Sequence, residues 1–107
     1  MKKGDSIKGL LGWEWHGAPR IDLPGMKVVA EGDAMVNKKK VGRYTATLYD
    51  GPEDNIVFNA ATIWWANGLS SPPGHLNPRR HGVAQQGPDE RVQKITHNLF
   101  RRIMTAT

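Results

Sequence analysis

The sequence predicts an α/β chain: about four strands, then a long loop and one C-terminal amphipathic helix packed on the sheet. Three observations predict it. Short β-rich runs recur over residues 8–16, 26–31, 43–49 and 56–65. A helical apolar stripe occupies residues 89–104, and a Pro/Gly-rich stretch without periodicity separates the two patterns.

Lys8 to His16 reads as the first strand. Its alternation places Trp13 and Trp15 on one face and Glu14 with His16 on the other. Gly17 to Gly25 carries two prolines and reads as a loop. Met26 to Glu31 is a second strand, and Gly32 to Gly42, with Lys38-Lys39-Lys40, reads as an exposed turn. In the third strand, Arg43 to Tyr49, Tyr44, Ala46 and Leu48 alternate with Arg43, Thr45, Thr47 and Tyr49. Asp50 to Asn55 is dense in turn residues and closes a hairpin. Ile56 to Trp65 is apolar on both faces and predicts a central strand covered on both sides, within which Asn59 would need hydrogen-bond partners. Residues 67–88 form the loop. Asp89 and Glu90 suit the start of the helix, where the dipole favours negative charge, and Val92, Ile95, Leu99, Phe100 and Ile103 make its stripe. One helix covers one face of the fourth strand, so the other face is expected to be covered from outside these 107 residues.

Composition sets the limits on chemistry. The absence of cysteine removes disulfides, thiolate metal sites and thiol nucleophiles. The four histidines show no zinc-motif spacing on one helix. There is no run able to cross a bilayer and no signal peptide pattern, so a cytoplasmic location is expected and no membrane partner. The net charge of +5 attracts polyanions. A small basic nucleic-acid-binding module is therefore the alternative reading. It is disfavoured because the tryptophans sit inside apolar strands, whereas stacking platforms must be exposed.

Two places carry candidate site residues. The exit of the fourth strand offers Trp64, Trp65 and Asn67, which could wall a pocket and supply an amide to a substrate carbonyl; the same tryptophans would also serve as packing. Glu14 and His16, at spacing two on one strand face, form the other polar pair. No residue is assigned a catalytic or metal-binding role.

The run Asn55-Ile56-Val57-Phe58-Asn59-Ala60-Ala61-Thr62-Ile63-Trp64-Trp65, preceded by Gly12-Trp13-Glu14 and followed by Val92-Gln93-Lys94-Ile95-Thr96-His97-Asn98-Leu99, resembles the C-terminal domain of N,N-dimethylformamidase large-subunit-like proteins. The resemblance spans roughly Leu10 to Ile103. It implies a glutamine-amidotransferase-like fold, a three-layer sandwich of which this chain is the closing part. It implies amide hydrolysis for the family's formamidase members, with a mononuclear iron held by tyrosine and glutamate. Those ligands do not match onto this chain and are expected upstream of it. Tyr44, Tyr49 and Glu14 have the right side chains but no supporting motif. No cofactor is therefore assigned to this chain, and its expected partner is the upstream part of the same domain or a second copy in a homo-oligomer.

Overall fold

The computed structural model describes residues 2–7, 10–11, 14–73 and 87–105. Its elements are β1 (Lys27–Val36), β2 (Lys39–Asp50), β3 (Ile56–Asn59), a single 3-10 turn (Trp65–Gly68) and α1 (Glu90–Thr105). The three strands form one antiparallel sheet in the order β1-β2-β3. The described residues are thus mixed α/β, with three strands among them where four were expected in the chain.

The largest departure lies between Gly32 and Gly42, expected as an exposed turn and found inside a long hairpin. Only Asn37 and Lys38 turn, both with left-handed φ, 49° and 64°. Two such residues make the tight loop that suits the twist of a hairpin. The lysine run suggested solvent, and the solvent is there, but along a strand face. Lys40 pairs with Asp33 at 3.1 Å, and Arg43 bridges Asp33 and Glu31 at 3.1 Å each. The Lys40 hydrogen bond, followed by Arg43, lowers the Asp33 pKa. Cross-strand ion pairs of this kind are compatible with a β face exposed to water.

The second hairpin closes where expected. Gly51 N–H donates to Asn55 O, and Glu53 N–H donates to Asn55 Oδ1 at 3.2 Å. The strand that follows does not run to Trp65. It ends at Asn59, after four residues. It also lies at the margin of the sheet, not at its centre. The reason is local: Ala61 adopts φ 60°, a left-handed conformation that breaks the extended path. Beyond it Trp64 turns into the core, 6% exposed, while Ile63 stays 47% exposed. The stretch expected as a first strand lies partly outside the described residues; in its described part, Trp15 makes an isolated antiparallel bridge with Thr62.

The core is small. Leu10, Ala34, Ala46, Ala61, Trp64 and Val92 are its buried apolar residues, and Val92 is wholly buried. The helix docks mainly on the 3-10 turn through Val92, not broadly on a sheet face. A Cβ built on Gly68 would lie 2.9 Å from both Val92 methyl carbons and 3.1 Å from Leu10 Cδ1, so only glycine admits this approach. Trp65 links the helix to the sheet. Its Nε1–H donates to Thr96 Oγ1 at 3.0 Å, and its ring meets Phe58 edge-on with centroids 5.4 Å apart. The stripe read from the sequence is buried only at its start: Phe100, Ile103 and Met104 are 60%, 52% and 72% exposed.

Asp89 caps the helix. Its Oδ1 accepts from Arg91 N–H at 2.8 Å, and its two oxygens also hold the Arg91 guanidinium at 3.0 and 2.7 Å. Its own N–H donates to Gly68 O at 2.9 Å. The side-chain hydrogen bond from Arg91 brings the Asp89 carboxyl to about 2 from its ordinary 3.8.

Two outcomes follow for stability. Gly68→Ala forces Val92 to move and should cost about 1–3 kcal/mol in urea denaturation. Asp89→Ala should cost about 1 kcal/mol at neutral pH through the lost cap. A depressed carboxyl stabilises above its unfolded value, and that contribution disappears as pH falls through about 2. The difference between wild type and Asp89→Ala should therefore be constant above about pH 5 and shrink toward pH 2.

Candidate functional site

The end of β3 and the N-terminal segment build one site between them. Beyond Asn59 the edge of β2 is left open, and residues Trp15 to Gly17 come alongside it. Thr45 N–H donates to His16 O at 3.0 Å, and His16 N–H donates to Ala61 O at 3.1 Å. Thr62 Oγ1 donates to Leu10 O at 2.7 Å and accepts from Trp64 N–H at 3.1 Å. The Trp15 ring lies over Gly42, where a Cβ would come within 3.1 Å of its Cζ2. These contacts fasten Leu10, Trp15 and His16 against the exit of β3.

An open groove of about 530 Å³ results, with Glu14, Trp15 and His16 on one side and Asn59 to Ile63 on the other. A second hollow of about 350 Å³ shares Trp15, His16 and Asn59 with it and adds the Thr45 and Thr47 side of β2. His16 and Asn59 thus border both spaces. Their side chains meet, Asn59 Nδ2 to His16 Nδ1, at 2.7 Å. Asn59 Oδ1 accepts from Ala61 N–H at 2.9 Å. The residue singled out in the sequence as a polar intruder in an apolar strand has its partners, and they are at the groove.

Of the five residues read from the sequence as site candidates, the structure brings two together. Glu14 and His16 line the groove, while Trp64, Trp65 and Asn67 are absent from its walls. Trp64 is 6% exposed and belongs to the core. Trp65 is held by Phe58 and Thr96. Asn67 lies in the 3-10 turn, its N–H donating to Trp64 O at 3.0 Å. Asn59 was flagged in the sequence for burial alone. The signal that would have given it a site role is its place two residues before the left-handed Ala61, which no sequence pattern announces.

The tyrosine and glutamate set expected of an iron-binding formamidase does not converge here. Tyr44 and Tyr49 stand five residues apart on β2, hence on opposite faces. Burial raises the Tyr44 pKa, which favours the neutral phenol over a phenolate ligand. Among the described residues there is no group of three or more His, Cys, Asp or Glu that could hold a metal ion. These side chains do not fit the iron.

Part of the basic charge among the described residues is paired with acids. Lys40, Arg43, Arg91 and Arg102 all have acidic partners, Arg102 reaching Asp50 from the helix. Among the described residues Trp15 and Trp65 are half-buried and Trp64 buried, an arrangement that does not favour base stacking; Trp13 lies outside them. Arg79 and Arg80 lie outside the described residues. No helix of the described residues is long and apolar enough to cross a membrane.

Comparison with known proteins bears on the whole of this site. No curated protein and no solved structure matches the chain. The family described as "N,N-dimethylformamidase beta subunit-like, C-terminal" matches residues 1–81. That span holds Glu14, His16, Asn59 and the strand Ile56–Asn59, whereas α1, Glu90–Thr105, falls beyond it. With most of its length matched, and with the strand that carries the resemblance inside the match, this chain belongs to the N,N-dimethylformamidase beta subunit-like, C-terminal family.

Proposed function

We propose that this chain supplies closing strands and one pocket wall to an N,N-dimethylformamidase-like amide hydrolase and is inactive by itself. The single observation that carries the reading is the groove: Glu14, His16 and Asn59, drawn from two distant parts of the sequence, line one concave space in a chain of this family. Its volume suits a small ligand, and its polar groups are few and fixed, as binding sites require. His16 would hold a small amide by its carbonyl oxygen, and Asn59 and Glu14 would border the rest of it.

The wider assembly is part of the same proposal. The chain would close a three-layer amidotransferase-like sandwich, completed by the upstream part of the same domain or by a homo-oligomer partner. Exposed apolar side chains support it. Val28, Val29, Met35 and Val41 on the first hairpin are between 44% and 52% exposed, and the end of α1 adds Phe100, Ile103 and Met104. Surfaces of this kind favour association. The hydrolytic groups would come from the completing part, since the iron-ligand residues do not converge in this one.

Titration of the isotope-labelled chain with N,N-dimethylformamide tests the groove. Backbone amides of Glu14, His16 and Ala61 and the side-chain amide of Asn59 should shift and saturate, at the weak affinity expected of so small a ligand. The Trp64 and Trp65 indoles should stay in place, and neither formate nor dimethylamine should accumulate. Absence of a saturable shift at the groove, or turnover by the chain alone, would overturn the proposal.

A further inference from the structure

We infer that Asn59 is a positioning residue that locks the His16 imidazole in its Nε2–H tautomer, so that the groove presents a hydrogen-bond donor to an oxygen of its ligand. The inference deepens the reading of the groove as a binding wall and rests on it for the ligand.

The geometry works as two links in series. Ala61, with φ 60°, turns its N–H back toward the end of β3. Asn59 Oδ1 accepts that N–H at 2.9 Å. An amide accepts only at oxygen and donates only at nitrogen, so this bond fixes which way the Asn59 side chain is turned. Nδ2, a donor, is left facing His16 Nδ1 at 2.7 Å. A donor there requires a lone pair on Nδ1, and a neutral imidazole with its lone pair on Nδ1 carries its proton on Nε2.

The His16 backbone that carries the ring is also held in place. His16 is tied through its N–H to Ala61 O and through its carbonyl to Thr45 N–H. The backbone positions of donor and acceptor are therefore fixed by the same turn. Nε2–H remains as the ring's second polar atom, a donor, in a groove also lined by Glu14, which can only accept when ionised. A ligand with a neutral acceptor oxygen fits the His16 side; a carboxylate would meet the Glu14 charge.

The chain as it stands, without ligand, allows a direct test. Long-range ¹H–¹⁵N spectra of the histidine rings at about pH 8, where a free imidazole is neutral, report the tautomer of each ring. Wild-type His16 should show the Nε2–H form alone. In Asn59→Asp the carboxylate keeps the Ala61 N–H but can no longer donate to Nδ1. It accepts a hydrogen bond from Nδ1–H instead, and the tautomer ratio should invert by about tenfold or more toward Nδ1–H. A purely structural Asn59 would leave the ratio unmoved. A wild-type ring that populates both tautomers overturns the inference whether or not the variant folds, and so does a folded Asn59→Asp that retains Nε2–H. The reading needs no ligand, so its failure leaves the dimethylformamide titration standing, and a failed titration leaves the tautomer result standing.

Discussion

The structure depends on the fastening of the N-terminal segment to the exit of β3. Leu10, Trp15 and His16 meet Thr62, Ala61 and Thr45 through one β-bridge and three hydrogen bonds. About 45 residues of chain are closed into a loop by these contacts, an entropic cost of a few kcal/mol that grows only slowly with length. The return is twofold. The edge of β2 beyond Asn59 finds donors and acceptors it would otherwise have to give to water, and Leu10 reaches the Gly68–Val92 contact that seats the helix. Without this fastening the groove would lose one wall and the helix would lose part of its socket.

The same fastening explains why so small a core suffices to fix the arrangement. Among the described residues six apolar side chains are buried, and much of the first hairpin and the end of the helix stripe remain wet. The sequence placed the uncovered apolar surface on a central strand running to Trp65. That premise fails, because β3 is four residues long and marginal. Uncovered surface exists nonetheless, on β1, on the hairpin and at the end of α1. Kinship to the formamidase family stands on the match over residues 1–81 and not on that premise.

Charge is used locally. Glu31, Asp33, Lys40 and Arg43 form a lattice across β1 and β2; Asp89 and Arg91 set the start of the helix; Arg102 and Asp50 tie its end to the second hairpin. Exposed pairs of this type contribute little each and weaken in salt, so their effect here is mainly on register and orientation. The capped pair at Asp89 is the exception, since one carboxylate satisfies a backbone donor and a guanidinium at once.

Periodicity and turn chemistry made some of this legible. The helix from Asp89, the hairpin closed by Asp50 to Asn55, the alternation of Arg43 to Tyr49, and the grouping of Glu14 with His16 on one side all follow from local rules, because each depends on residues near in sequence. The rest needed the tertiary structure. Asn37-Lys38 turns where a run of lysines hid it, and Ala61 takes a left-handed conformation that alanine does not advertise. Trp64 and Trp65 belong to core and helix contacts, a choice that an apolar run leaves open because cores and pockets draw on the same side chains. Asn59 and His16 lie 43 positions apart and meet only when the chain has closed on itself. The sequence by itself determined the helix, the second hairpin and the family; only the fold decided which polar groups share a groove, because that depends on long-range closure, which no local pattern encodes.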